Sequence, residues 1–268
     1  MTVQTRQIIS SLLAKQSKRA KIRFGVPKES NTNELSPVVR QAWQHTVRRL
    51  QAAGHTVHSV SLPSTRQALS AYYILAPAEA SSNLAKYDGV RYGQGAPQAP
   101  NSHQQLFAQT RQHGFGAEVR RRILLGAYSL SADAIDNYFM QAQRIRRLMI
   151  KDFDAVFALP NALTTTMTRD DHIAEEAERV DALIIPTAPT LPPTVEEVRE
   201  QSPLDAYAGD VFTVPASLAG LPAISVPIRP ENPQDLPQDI ASVGMQLITQ
   251  FGDDEACLKY AEVLSGAP

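Results

Sequence analysis

Cysteine is nearly absent from this chain: Cys257 is the only one in 268 residues. A single thiol excludes an internal disulfide framework and a cysteine-rich zinc site, and it makes a reducing compartment, cytosol or organelle matrix, the natural reading. No apolar run approaches the roughly 20 residues a membrane span needs. An excess of either charge is missing too, with 26 Lys and Arg against 27 Asp and Glu and a formal net charge of −1. No global field therefore steers the chain to nucleic acid or to a membrane. The histidines, at 45, 55, 58, 103, 113 and 172, lack metal-ligand spacing with acidic partners and read as scattered surface positions. Residues 1–28 contain no acid, yet carry Arg6, Lys15, Lys18, Arg19, Lys21, Arg23 and Lys28. That composition fits a mitochondrial transit segment over the basic residues 1–20, and it also fits a solvated basic helix leading into a first strand.

What remains is an ordinary globular composition, 43% hydrophobic and 20% charged, long enough for a sizeable core in one large domain or two small ones. The stretch "IRFGVP", 22–27, alternates Ile22, Phe24 and Val26 and predicts a strand. Ser36-Pro37 then opens a helix, with Ser36 as N-cap. Val39, Trp43, Val47 and Leu50 form its inward stripe, and Gly54 ends it in a left-handed cap. "HTVHSVSLP" predicts a second strand, and strand–helix–strand with short joints is an α/β signature. The middle of the chain reads as helical. Pro77 is expected to break or kink a helix over 64–86, and Ser131 or Asp133 to cap a later one. A polar, acidic stretch between 154 and 180 looks like a surface insertion. Three strands follow: a buried one at 182–185, "AISVPI", also expected to be buried, and "VGMQLITQF". A helix begins near Asp253.

Six segments carry a resemblance: "RFGVPKE", "SLPSTRQALSAYYILAPAEASSNLAKYDGVRYG", "GFGAEVRRRILLGAYSLS", "ALIIPTAPT", "YAGDVFTVPASLAGLPAISVPI" and "GMQLI". Together they resemble the amidase signature family over about residues 21 to 262. The second and third resemble its tRNA-dependent amidotransferase branch, since a general amidase would share mostly "PTAP" and "LAGLPAISVP". The basic N-terminus and the 154–180 stretch resemble fungal mitochondrial members. The resemblance implies an α/β fold, a mixed β-sheet sandwiched by helices, with residues 21–268 as the C-terminal portion of the domain, incomplete on its N-terminal side. It implies hydrolysis of glutamine, with ammonia passed to the B subunit of an amidotransferase, which converts Glu-tRNA(Gln) to Gln-tRNA(Gln). ATP and Mg are used by that partner, with no cofactor in this chain. A small third subunit is implied, and the tRNA is held mainly by the B subunit. No membrane partner is implied. The implied location is the mitochondrial matrix, or the cytoplasm for a bacterial member.

By position in these motifs Tyr72, Arg122 and Asp210 match the residues that hold the substrate glutamine. The chemistry suits that role. A guanidinium can fork both oxygens of an α-carboxylate, a carboxylate can take the ammonium, and a phenol can donate or accept at the rim. The plainer readings are a core aromatic at Tyr72, a solvated Arg-rich run at Arg122 and a helix cap at Asp210. One departure is large. The family uses a Ser–cis-Ser–Lys triad, with the serines in a Gly/Ser-rich stretch. Here the lysines are 15, 18, 21, 28, 86, 151 and 259, none in the family's lysine context. Adjacent serines occur only at 10–11 and 81–82, without the flanking glycines an oxyanion hole would use. No catalytic residue is therefore assigned, and the chain by itself is expected to be inactive. Two alternatives stay open: a non-catalytic remnant or interaction module of the family, and a free-standing amidase, which Arg122 with Asp210 disfavours.

The polar run Glu79, Ser81, Ser82 and Asn83 reads either as the lining of an occupied cleft or as caps of neighbouring helices. Asp88-Gly89 predicts a turn, after which Arg91 and Tyr92 are available to a protein partner or to tRNA. Arg144, Arg146 and Arg147 read as a solvated helix face, and Cys257 as a small core residue on the last helix.

Overall fold

The structure, a computed structural model, describes residues 21–95, 107–164, 179–202, 207–231, 236–237 and 239–266. The basic segment 1–20, His103, His172 and most of the expected 154–180 insertion lie outside the described residues. The chain divides into two compact units, one of Met1–Leu69 with Arg147–Pro268, the other of Ser70–Arg146.

The first unit is built on the strand–helix–strand start. Strand β1, Arg23–Pro27, leads to helix α1, Pro37–Ala52. Ser36 Oγ accepts the Val39 amide at 3.3 Å, which satisfies one of the amides a helix start leaves without an intrahelical partner. Gly54, at φ +89, turns the chain into β2, Thr56–Val60, as expected. Strands β3 (Ala182–Pro186), β4 (Ala223–Ile228) and β5 (Val243–Ile248) complete a five-stranded sheet in the order β2-β1-β3-β5-β4. β2, β1 and β3 run parallel, Phe24 beside Val57 and Ala182; β5 runs antiparallel to β3 and β4, with Leu183 and Ala223 both opposite Ile248.

Helices cover both faces, so the sheet is mixed and helix-sandwiched, as the resemblance implies. On one face Trp43 of α1 donates its indole N–H to the Ile184 carbonyl at 3.2 Å. Tyr260 of helix α8, Asp254–Ser265, sets its ring edge-on to Phe24 at 6.3 Å. On the other face Leu183, Ile185 and Ile248 line one cavity together with Phe153 of helix α5, Phe139–Val156, and Pro215 of helix α7, Val214–Ala219. Covered on both sides, all five residues of β3 are buried. A buried Asp181 carboxylate accepts the Arg23 amide at 2.9 Å and its guanidinium at 2.8 and 3.2 Å, tying β1 to the start of β3.

One strand differs from expectation. The composition of "AISVPI" predicts burial throughout, but as the terminal strand β4 it buries only Val226 and Ile228 fully, while Ala223, Ser225 and Pro227 are exposed. Its apolar composition could not reveal that, among the described residues, one of its faces carries no helix.

The second unit is helical. Helix α2, Ala68–Asn83, runs through Pro77 without the expected break and is flanked by 3₁₀ turns at Pro63–Gln67 and Leu84–Lys86. Helix α3 is Ala108–Gly114 and α4 is Ala117–Ser129. α4 crosses α2 where Gly126 meets Pro77: a Cβ at 126 would stand 2.0 Å from the Pro77 carbonyl oxygen. A crossing this close supports the proline-containing turn with packing that propensity alone would not supply. Neither Ser131 nor Asp133 caps a helix. They lie in successive turns in which the Ser131 carbonyl accepts the amides of Ala134 and Ile135, and α5 starts only at Phe139. The remaining helix, α6, is Val195–Glu200 in the first unit.

Candidate functional site

At the C-terminal end of β3 the first unit opens into a cleft of ≈ 920 Å³. The proline-rich loop 187–194 cannot continue a strand ladder, so it leaves the sheet and forms one wall. The Thr187 amide donates to the Gly244 carbonyl at 2.9 Å, and the Ser36 amide donates to the Pro189 carbonyl at 2.8 Å, which pin the loop at both ends of its first turn. Thr187, which lines the cleft, holds its Oγ1 2.7 Å from Ser225 Oγ on β4. A Cβ on Gly244 would stand 2.9 Å from the first and 3.0 Å from the second, so glycine makes room for this hydroxyl pair.

Asp210 lines the cleft and is exposed. Its carbonyl accepts the amides of Thr213 and Val214, both at 3.1 Å, and so begins the turn into α7. The carboxylate is thus carried on a short, well-tied corner beside a largely apolar wall. A carboxylate on such a cleft can take an ammonium group. The Thr187 hydroxyl on the cleft can both donate and accept, a match for a polar group of a small ligand.

Tyr72 and Arg122 belong to the second unit. Tyr72 is half-buried on α2, its ring edge-on to Tyr73 at 5.2 Å. Arg122 is exposed on α4, four residues before the Gly126 crossing, and its Nε lies 3.2 Å from Glu118 Oε1. Arg121 pairs with the same carboxylate. Tyr72 and Arg122 are thus carried by two helices that cross within one unit, while Asp210 stands on the cleft of the other.

Sequence reasoning passed over Glu118, Thr187, Ser225 and Gly244. The i,i+4 spacing of Glu118 and Arg122 was a usable signal. So was a glycine inside the apolar run of β5, which marks a close approach. The hydroxyl pair joins residues 38 apart and had no local signature.

Three of the four residues in the polar run on α2, Glu79, Ser81 and Asn83, bond locally. Asn83 Nδ2 donates to Glu79 Oε1 at 3.1 Å, and Ser81 Oγ donates to the Ala78 carbonyl at 2.8 Å. Ser81 sits at the Gly126 crossing, where its own Cβ would be 2.9 Å from a Cβ at 126. Asp88 Oδ1 accepts the Val90 amide at 2.9 Å and Gly89 has φ +74, so the expected turn forms; Arg91 and Tyr92 after it are exposed. Arg144, Arg146 and Arg147 are exposed on α5. Cys257 is buried; burial pushes its thiol up, with Asp254 and Asp253 adding and a bond with Thr249 opposing, so it is a protonated core residue. Among the described residues no three His, Cys, Asp or Glu side chains gather as metal ligands, and no helix is long and apolar enough to cross a membrane.

Residues 4–258 match the family model for amidases. The chain belongs to the amidase family. Among its amidase relatives, the mitochondrial A subunit of glutamyl-tRNA(Gln) amidotransferase from Emericella nidulans is 54% identical over 91% of this chain and 49% of its own length. The protein of the same name from Ajellomyces capsulatus is 49% identical over 98% of this chain and 54% of its own length. The crystal structure of the A subunit of glutamyl-tRNA(Gln) amidotransferase from Thermotoga maritima superposes with a TM-score of 0.56 at 28% identity, covering 91% of this chain and 40% of that one. The chain thus spans about half the length of the curated amidase relatives it matches.

Proposed function

We propose that this chain serves as the glutamine-handling A subunit of a mitochondrial glutamyl-tRNA(Gln) amidotransferase. The observation that carries the proposal is identity of 49% to 54% with proteins of that name over 91% to 98% of the chain. Glutamine is hydrolysed to glutamate, and the ammonia converts Glu-tRNA(Gln) to Gln-tRNA(Gln) for translation in the mitochondrial matrix. The ligation itself belongs to the B subunit, which uses ATP and Mg and holds most of the tRNA, with a small third subunit next to it. Within this assembly the present chain supplies the wall that recognises glutamine. Asp210 takes the ammonium, Arg122 the α-carboxylate, and Tyr72 bounds the site. The exposed carboxylate on a cleft of ≈ 920 Å³ supports the first of these roles.

The 268 residues by themselves turn no glutamine over. Of the two adjacent serine pairs, 81–82 lies inside helix α2, with Ser81 bonded to a helix carbonyl and no glycine flanking the pair in sequence. The same absence favours a second reading, a non-catalytic interaction module of the family.

The test supplies both nitrogen donors to the complex assembled with this chain. Glutamine-dependent and ammonia-dependent amidation of Glu-tRNA(Gln) are compared in wild type and Asp210→Asn. Selective loss with glutamine supports the proposal; equal loss with both donors withdraws the binding role of Asp210. A complex that works with ammonia but never with glutamine favours the interaction module. Ammonia release from glutamine by the purified chain alone, above a heat-killed control, would show that a nucleophile has been overlooked.

A further inference from the structure

A second groove in the first unit has no part in the cleft. It is ≈ 550 Å³ in volume and runs along α1 beside β2. Its floor includes Val26, Trp43 and Val47, and Lys28, Arg40 and Arg48 stand around it; the other lining side chains are neutral, so no acid lines the groove. Arg40 is held in place by neutral acceptors, Asn31 Oδ1 and the Thr32 carbonyl, the latter at 2.9 Å. Its position is therefore fixed by groups that leave its charge uncancelled. Arg48 meets Glu231 at 3.4 Å, but these side chains are 66% and 64% exposed, and a pair so wet is easily exchanged for another carboxylate. β2 is the terminal strand, and no strand pairs with its outer edge among the described residues.

We propose that this groove docks an extended acidic segment of a partner protein, its carboxylates meeting Lys28, Arg40 and Arg48 and an apolar side chain seated on Val26 and Val47. Charge complementarity selects the acidic character, because three cations border a groove whose own lining holds no acid, Glu231 meeting Arg48 from outside it. The open strand edge beside the groove suits an extended backbone, which can add to a sheet edge through main-chain hydrogen bonds. Single-stranded RNA fits less well. Base stacking needs an exposed aromatic face, and Trp43 is only 5% exposed with its indole N–H given to Ile184. This inference stands independently of the glutamine reading.

The probe is a labelled octapeptide of alternating glutamate and valine with blocked ends, titrated into the full chain at low ionic strength and followed by fluorescence anisotropy. A glutamine–valine octapeptide and an oligouridylate are the comparators. The acidic peptide is expected to bind, and to bind less tightly as salt rises. The double substitution Lys28→Ala with Arg48→Ala should weaken it about tenfold or more, as the loss of charge-assisted contacts demands. Lys21→Ala with Lys151→Ala removes the same charge elsewhere and should leave it unchanged. Arg40 is kept because it anchors the turn at residues 31–32. No binding, equal binding of the neutral peptide, or equal loss in both double variants overturns the proposal. Tighter binding of the oligouridylate overturns it too, in favour of a nucleic-acid site.

Discussion

Arg122 and Glu118 stand one helical turn apart on α4, with Nε 3.2 Å from Oε1. The contact uses the side of the guanidinium. Its terminal nitrogens make no hydrogen bond among the described residues. A guanidinium braced through Nε presents its other edge in a set direction, as a forked carboxylate contact requires.

If Glu118 braces Arg122, Glu118→Gln should raise KM for glutamine in the assembled complex while leaving ammonia-dependent amidation intact. Exposed ion pairs contribute about 0.2–1 kcal/mol, so the rise should be a factor of about five at most. A fall in KM would mean that Glu118 competes with substrate instead.

Arg122→Lys should cost much more. Lysine keeps the charge but loses the planar fork. A hydrogen bond to a charged group is worth about 1.5–3 kcal/mol, so kcat/KM for glutamine should drop by roughly one to two powers of ten. Arg146→Lys, on the exposed face of α5, is the control and should change little. Steady-state kinetics with each nitrogen donor separate the two outcomes, and equal losses with glutamine and ammonia would point to misfolding.

Gly126→Ala should destabilise the chain by about 1–3 kcal/mol or more, because the new methyl meets backbone that cannot rotate away. The affected atoms are the Pro77 carbonyl, 2.0 Å from the added carbon, and the α2 turn around it. Gly114→Ala, with nothing within 4 Å, should be neutral or stabilising by some tenths of a kcal/mol. Urea unfolding of both variants reads the contrast, and equal midpoints would show that the helices part without cost.

Stability should fall in acid in two stages. Burial depresses the His55 imidazole below its ordinary 6.5, and its Nδ1 accepts the Ile22 amide at 3.3 Å. Because the unfolded chain takes up that proton more readily, the contribution of His55 is complete above pH 6.5 and is lost as pH falls through the lower folded value. Glu29 acts further down. Burial alone would raise its carboxyl, but bonds from the Leu62 amide and the Ser61 hydroxyl, with Arg66 nearby, bring it below its ordinary 4.5. Its contribution is present above pH 4.5 and disappears as pH drops through the folded value. Melting temperature against pH should lose its upper slope in His55→Gln and its lower slope in Glu29→Gln. Unaltered profiles would refute both assignments.

Features that depend on neighbours within a few residues were legible in the sequence alone. Ser36, Pro37 and Gly54 bounded α1, and Asp88-Gly89 made its turn, because caps and turns are hydrogen bonds and backbone angles of adjacent residues. Its motifs also determined the family, which residues 4–258 bear out. Tertiary structure decided what those residues could not encode locally. Pro77 stays inside a helix because Gly126, far along the chain, lets α4 lie against that turn. β4 is half exposed because one of its faces carries no helix among the described residues, although its composition matches that of a covered strand. α5 begins at Phe139 although Ser131 and Asp133 offered caps, because the backbone there closes successive turns on the Ser131 carbonyl first. The Thr187–Ser225 pair is the clearest case. Thr187 follows the end of β3, Ser225 lies within β4 and Gly244 near the start of β5, and only the pairing of these strands brings two hydroxyls over a residue small enough to admit them.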